Sequence, residues 1–165
     1  MNAARVQLLQ GMPIFGALRE DALDCLLYSA ASVVRQAGEC YFREGDQHGQ
    51  SVYVVERGGV RVHKRWQGGE WALKELGVGD CFGEMALLDL EPRSASVCAV
   101  TDDTCAIEFG ADALHRLFSQ DPEQFALLQM NIAREVCRRL RVADEMLLRV
   151  RVGKGRGGGE LGRVG

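Results

Sequence analysis

Residues 79–97 read GDCFGEMALLDLEPRSASV. This stretch combines a glycine, a short helical turn and an arginine that can fold back over the turn. Gly83 lets the backbone approach a ligand closely, and the turn after it aims unpaired N–H groups at one point, which suits a phosphate. Arg93 can hold the same anion with two N–H donors. Glu84 lies among apolar residues, so its carboxylate needs a donor such as a sugar hydroxyl. The stretch therefore predicts a site for a phosphate next to a ribose.

The two charges of this stretch also have a purely structural interpretation. Glu84 and Arg93 are spaced so that an ion pair between them would close the loop, and isolated charges at such a spacing are usually structural. The combination of an anion cradle, a fixed arginine and an inward carboxylate favours the ligand site.

A β-rich zone, 32–110, surrounds this stretch. Short runs of β-branched and aromatic residues alternate with glycines, a pattern typical of an antiparallel sandwich or roll. Residues 83–88 lack β-branched side chains and predict one helical turn between two strands. The predicted strand runs are 33–34, 40–42, 51–55, 60–62, 71–73 and 96–100.

Helices are predicted on both sides of the β zone. Leucines recur at helical spacing before residue 31, interrupted by a turn at 12–16. A shorter helix at 112–118 precedes a long one, which begins at a capping box formed by Asp121 and Gln124 with Pro122 at the first helical position. An apolar stripe follows at steps of three and four residues: Ile132, Val136, Leu140, Ala143, Leu147 and Val150. A helix of about 29 residues would be roughly 43 Å long, so its far end is expected to need a partner.

The predicted fold is mainly β, an antiparallel, jelly-roll-like β-roll with N-terminal helices and a long C-terminal helix. Its predicted segments are N-terminal helices at 1–31, a β-roll with the phosphate-binding stretch at 32–110, C-terminal helices at 111–152 and a disordered glycine-rich tail at 153–165.

Composition and charge narrow the range of functions. The chain is 47% hydrophobic with a net charge of −3, and no apolar run reaches the length of a membrane-spanning helix. With no signal-like N-terminus, a cytoplasmic location without membrane contact is expected. The net negative charge disfavours nucleic acid as a partner, although basic residues outnumber acidic ones from Arg134 onward.

Cysteine and histidine usage argues against a metal or redox site. The six cysteines include no C-x-x-C pair, so they are expected to be reduced and mostly buried. The histidines are scattered and form no H-x-H pattern, so the sequence predicts neither metal ligands nor catalytic residues. They are His48, His63 and His115.

Residues 82–88 together with 92–97 resemble the phosphate-binding cassette of the cyclic nucleotide-binding domain family. That family includes the bacterial catabolite activator and the regulatory subunits of cAMP-dependent protein kinase. Residues 13–15, 38–46 and 52–62 also resemble motifs of the family, and the resemblance covers roughly residues 12–145.

The resemblance implies a ligand and a set of contacts. Arg93 would pair with a cyclic phosphate, and Glu84 would accept a hydrogen bond from the ribose 2′-hydroxyl. Four more cassette residues would supply N–H groups or a hydroxyl: Gly83, Ala86, Ser94 and Ala95. Five residues would form the wall around the base: Val62, Leu73, Cys81, Phe82 and Met85. A hydroxyl residue directly after the arginine tends to favour guanine in the family, but bacterial cAMP binders carry serine there too. The ligand is therefore expected to be cAMP, with cGMP as the alternative.

The resemblance also implies a sensor without enzymatic chemistry, whose long C-terminal helix closes over the base and, in some members, pairs with a second subunit. Glu135, Arg138 and Arg139 are candidate contacts to the base, although the apolar stripe of this helix could equally be fixed core. A homodimer or a protein partner through this helix is expected. One alternative is a fragment of a transcription regulator that lacks its DNA-binding domain, because only a short glycine-rich stretch follows the helix. Another is a degenerate member that binds nothing, against which the intact Glu84 and Arg93 argue.

Overall fold

The computed structural model describes residues 3–47, 49–88 and 90–154. Within these residues, eight strands form two antiparallel four-stranded sheets, in the order β1-β8-β3-β6 and β2-β7-β4-β5. This confirms the predicted antiparallel β-roll. The strands are β1 (Ala31–Arg35), β2 (Cys40–Phe42), β3 (Val52–Arg57), β4 (Val60–Trp66), β5 (Gly69–Leu76), β6 (Cys81–Phe82), β7 (Ser96–Ala99) and β8 (Thr104–Phe109).

Helices flank the roll at both ends of the chain, as predicted. A 3₁₀ turn at Pro13–Phe15 separates the first two helices, and the helix predicted between residues 83 and 88 is a single turn. No helix in the described part of the chain combines the length and the apolar character needed to cross a membrane. The helices are α1 (Ala3–Gln10), α2 (Glu20–Tyr28), α3 (Met85–Leu88), α4 (Ala111–Gln120) and α5 (Pro122–Lys154). The glycine-rich tail was predicted to begin at residue 153, but Gly153 and Lys154 are the last two residues of α5. Residues 155–165 of the predicted tail lie outside the described residues.

The buried apolar residues form two cores that meet at the cassette. Leu23, Leu26 and Ile132 belong to the helical core, whereas Phe82 lies in the core of the roll, stacked on Tyr53 with ring centroids 5.0 Å apart. Leu87, on the helical turn α3 that follows Phe82, packs against the helical core. The short turn at residues 83–88 is therefore held between the two cores.

Asp121 caps the N-terminus of helix α5, as the sequence predicted. The Gln124 backbone N–H donates to Asp121 Oδ1 over 3.1 Å, and Pro122, which lacks an N–H, occupies the first helical position. The second half of the predicted capping box is wrong. The Gln124 side chain does not reach back to the cap; its Oε1 instead accepts a hydrogen bond from the Arg19 backbone N–H over 2.8 Å, which ties the start of α5 to the N-terminus of α2.

The expectation that every cysteine is reduced is wrong for two of them. Cys40 on β2 and Cys98 on β7 are directly opposite in the strand register and form a disulfide. They are 58 residues apart in sequence, so only the pairing of the two strands brings them together. Cys25, Cys81, Cys105 and Cys137 are free thiols.

Candidate ligand-binding site

A cavity of about 470 Å³ lies between the roll, the cassette and helix α5. Nine of the eleven residues predicted to contact a ligand line it: Val62, Leu73, Phe82, Gly83, Glu84, Met85, Arg93, Ser94 and Ala95. Arg139, a candidate base contact from the sequence, also lines it. The other lining residues were not assigned to the site from the sequence: Phe42, Lys64, Lys74, Leu76, Pro92, Val97, Val136, Leu140 and Ala143.

Cys81, one of the two remaining predicted site residues, does not line the cavity. The side chain of Cys81 packs into the helical core on the other side of β6, because successive residues of a strand point to opposite faces. Phe82, its neighbour, faces the cavity. Ala86 lies within α3, and its side chain is outside what the structure describes.

Gly83 occupies a position that only glycine fits. Its φ is +84°, and an added Cβ would lie 2.8 Å from the carbonyl oxygen of Ser51 and 2.9 Å from Nη1 of Arg93. Both the left-handed backbone and the crowding exclude a side chain. The missing side chain lets the Arg93 guanidinium lie directly against the cassette turn.

Arg93 is buried, with 5% of its surface exposed. Its Nη1 donates to the carbonyl of Gly83 over 3.0 Å, and its Nη2 donates to the carbonyls of Gly49 and Ser51. The guanidinium carbon lies 4.0 Å above the ring centre of Phe42. Because carbonyl oxygens and an aromatic face hold the guanidinium, its orientation is fixed before any ligand arrives.

Among the described residues, the hydrogen bonds of the Arg93 guanidinium go to carbonyl oxygens and none goes to a carboxylate. Burial lowers the pKa of its guanidinium below the ordinary value, since nearby carboxylates and Tyr53 offset the desolvation only in part. The Nε–H is buried and has no hydrogen-bond partner among the described residues. A buried cation with a free donor is the electrostatic complement of an anion.

Glu84 is 3% exposed and forms an ion pair with Arg139 of α5 through its Oε1. Arg139 also donates to the carbonyl of Cys81 over 3.0 Å and to Oε1 of Glu135 over 3.1 Å. Burial alone would lower the pKa of Arg139, but the adjacent carboxylates of Glu84 and Glu135 raise it overall. The loop-closing pair between Glu84 and Arg93 is therefore not formed, because each side chain has other partners.

The three candidates on α5 have different positions. Arg139 lines the cavity, and Glu135 holds it from one helical turn earlier. Arg138 points away from the cavity, with 52% of its side chain exposed, and pairs with Glu135 over 3.0 Å. Of these residues, only Arg139 is placed to meet a ligand directly.

The lining residues that the sequence did not assign had partial signals. Val136, Leu140 and Ala143 belong to the apolar stripe of α5, for which the sequence left docking over the base and fixed core as alternatives. Lys64 lies on β4 and Lys74 on β5. Which side chains of these two strands point towards the cavity depends on how the strands pair. The described residues contain no cluster of three or more His, Cys, Asp or Glu side chains that could hold a metal ion.

The cyclic nucleotide-binding domain profile matches residues 33–121, which includes the whole cassette. The chain belongs to the cyclic nucleotide-binding domain family. Similar proteins include the cyclic AMP receptor protein of Thermus thermophilus, 36% identical over 82% of this chain and 61% of that protein. A cAMP-dependent protein kinase regulatory subunit of Aspergillus niger is also 36% identical, over 66% of this chain and 26% of its own length.

A solved member of the family has the same architecture. The crystal structure of the Thermus thermophilus catabolite activator protein matches with a TM-score of 0.70 and 36% identity, over 82% of this chain and 61% of that one. This chain therefore spans less than two-thirds of the length of these relatives.

Proposed function

We propose that the cavity binds a 3′,5′-cyclic nucleotide, and that the chain is a regulatory sensor module without catalytic chemistry of its own. The observation that carries this proposal is the unpaired Nε–H of the buried Arg93. A buried donor without a partner costs about 1–3 kcal/mol, and an anionic oxygen in the cavity would remove that cost. A cyclic phosphate carries one negative charge, which matches the buried guanidinium of Arg93, whose described hydrogen bonds all go to neutral carbonyls.

The remaining polar groups suit the sugar and the other phosphate oxygens. A carboxylate can accept hydrogen bonds at about four positions, so Glu84 can accept from a ribose 2′-hydroxyl while Arg139 stays bound. The proposed phosphate contacts besides Arg93 are backbone N–H groups of the cassette turn and of the segment after the arginine: Gly83, Ala86, Ser94 and Ala95. The proposed base wall is apolar and comes from the roll and α5: Val62, Leu73, Phe82, Met85, Val136 and Leu140.

The proposed ligand is cAMP, with cGMP as the second candidate. The names of the two relatives above refer to cAMP, which supports adenine. Ser94 directly follows the arginine, lies on the cavity wall and has its Oγ 3.8 Å from Met85 Sδ. Its hydroxyl is the feature that supports guanine.

Helix α5 is the proposed output of the sensor. Its inner face lines the cavity, and Arg139 connects it directly to the ribose-reading Glu84. Beyond the cavity, apolar side chains remain exposed, including Leu147 at 52% and Val150 at 57%. A second copy of the chain or another protein is proposed to cover them. The alternative is that the chain is one part of a longer transcription regulator, because it spans 61% of the length of the Thermus thermophilus receptor.

Replacing Arg93 tests the proposed function. Arg93→Ala removes a charged hydrogen-bond donor to the phosphate, and losing one partner of a buried charge pair costs about 2–5 kcal/mol, with 1.4 kcal/mol for each tenfold change in affinity. Titration calorimetry is expected to show cAMP affinity falling by roughly two to three orders of magnitude. Arg93→Lys keeps the charge without the planar fork and is expected to recover only part of the loss.

Arg61→Met provides the matched control. Arg61 lies on the outer face of β4, half-exposed and paired with Glu75, so its loss should leave cAMP affinity unchanged. Circular dichroism and thermal unfolding establish that each variant is folded. A folded Arg93→Ala protein that binds cAMP as tightly as the wild type would refute the site.

A further inference from the structure

The Cys40–Cys98 disulfide joins two strands that supply cavity residues. Strand β2 carries Phe42, whose ring centre lies 4.0 Å from the guanidinium carbon of Arg93. Strand β7 carries Val97, and both Phe42 and Val97 line the cavity. These two residues form the next described pair of the strand register after the two cysteines. The bridge therefore lies beside the residues that surround the proposed phosphate site.

Strand β2 depends on this bridge more than an inner strand would. It has three residues and lies at the edge of its sheet, with β7 as its strand neighbour. The pairing is irregular between Cys40 and Phe42, which interrupts the hydrogen-bond ladder at that point. The disulfide is a covalent tie across this irregular pair of strands. Opening the disulfide is expected to loosen the strand that holds the Phe42 ring against Arg93.

The two sulfurs of the bridge have different surroundings. Cys98 is 7% exposed, and its Sγ lies 3.8 Å from Nε2 of His63 on β4. Cys40 is partly exposed, so its sulfur is the one that a small thiol reaches. In the tautomer with its proton on Nε2, His63 can donate that proton to the Cys98 sulfur. A stabilised leaving sulfur speeds thiol–disulfide exchange, so the geometry favours attack at Cys40 and departure of Cys98.

We propose that the Cys40–Cys98 bridge is a redox-active site for dithiol reductants, and that its reduction weakens cyclic nucleotide binding. A thiolate of the reductant attacks Cys40 Sγ, the bond to Cys98 breaks, and His63 protonates the departing sulfur. The second thiol of the reductant then displaces Cys40, and the reductant becomes a cyclic disulfide. The two cysteines together gain two electrons and two protons, which the dithiol supplies by way of His63 and solvent. The effect on binding rests on the proposed function.

Reduction of the unmodified chain tests this inference. Thiol titration in denaturant is expected to count four free thiols before treatment with dithiothreitol and six after it. Equilibrium dialysis then compares the two forms with the tighter-binding of cAMP and cGMP. Affinity is expected to fall roughly 2- to 30-fold on reduction, the range that loss of the contact between Phe42 and Arg93 predicts.

Three variants separate the parts of the proposal. The double variant Cys40→Ser, Cys98→Ser should bind as weakly as the reduced wild type and should not respond to dithiothreitol. Cys137→Ser removes an exposed free thiol of α5; it is the matched control and should keep the full response. His63→Gln should slow the appearance of the two new thiols roughly 2- to 10-fold, the value of one hydrogen bond to the leaving sulfur.

Each part of the proposal has its own contradicting result. Equal affinities of the oxidised and reduced wild type would overturn the effect on binding and leave the proposed function intact. Six free thiols before reduction would overturn the bridge, and an unchanged reduction rate in His63→Gln would overturn the role of His63. Circular dichroism that shows the reduced protein unfolded would overturn a local effect on the site. Failure of both forms to bind either nucleotide would overturn the proposed function as well.

Discussion

Gly83 and Arg93 make the proposed phosphate end of the cavity rigid before any ligand binds. The arginine lies where a side chain at residue 83 would have to be, and three carbonyls hold it there. Its partners are neutral, so its charge remains available to a ligand. Desolvation of this cation is a cost to the empty protein that a bound anion would offset.

Gly83→Ala tests this arrangement at the residue scale. The left-handed backbone at residue 83 costs a non-glycine residue about 1–2 kcal/mol, and the new Cβ would also press on Arg93 Nη1 at 2.9 Å. Displacing the guanidinium should weaken cAMP binding about tenfold or more in calorimetry. Gly79→Ala is the matched control, because Gly79 has a φ of +87° but nothing within 4 Å of its added Cβ. That variant should lose stability and keep its affinity; equal affinities for both variants would contradict the account.

Arg139 is the polar connection between α5 and the roll. It pairs with the buried Glu84 and donates to the carbonyl of Cys81, whereas the neighbouring contacts of α5 with the cavity are apolar. Both partners lie on or beside the cassette, so the proposed ligand contact to Glu84 would also act on the helix. The coupling between ligand and output is therefore expected to pass through this residue.

Arg139→Gln tests whether this arginine holds helix α5 against the roll. The variant leaves the Glu84 carboxylate without its charged donor, and such hydrogen bonds contribute about 1.5–3 kcal/mol each. Hydrogen exchange of the ligand-free protein should show faster exchange in α5 from residue 132 to 150, and thermal unfolding should occur at a lower temperature. Arg141→Gln, which changes an exposed arginine of the same helix, is expected to alter neither. Unchanged protection in Arg139→Gln would show that α5 is held by its apolar stripe alone.

At the scale of the whole molecule, local signals in the sequence predict the order of elements well. Each of these signals is contained within a few consecutive residues. They are the cap at Asp121, the glycines between the strands and the lack of β-branched residues at 83–88. The two strands that the sequence analysis did not predict depend on distant partners. β6 has only two residues, and β8 pairs with both β1 and β3, which are distant from it in sequence.

The same distinction separates the predicted from the unpredicted parts of the site. Most cassette residues that were predicted to contact a ligand line the cavity together, because they are close together in sequence. Strand register decides that Cys81 faces the helical core and that Lys74 lines the cavity. The docking of α5 decides that Arg139 contacts Glu84. Those are set by pairing across the fold, which residue patterns within one segment cannot specify.

The most direct measurement is an equilibrium titration of the purified chain with cAMP and, separately, with cGMP. If the cavity reads a ring phosphate and its sugar, calorimetry will show saturable binding of one nucleotide per chain, tighter for cAMP. Absence of saturable binding for both nucleotides by the folded protein would contradict the central claim.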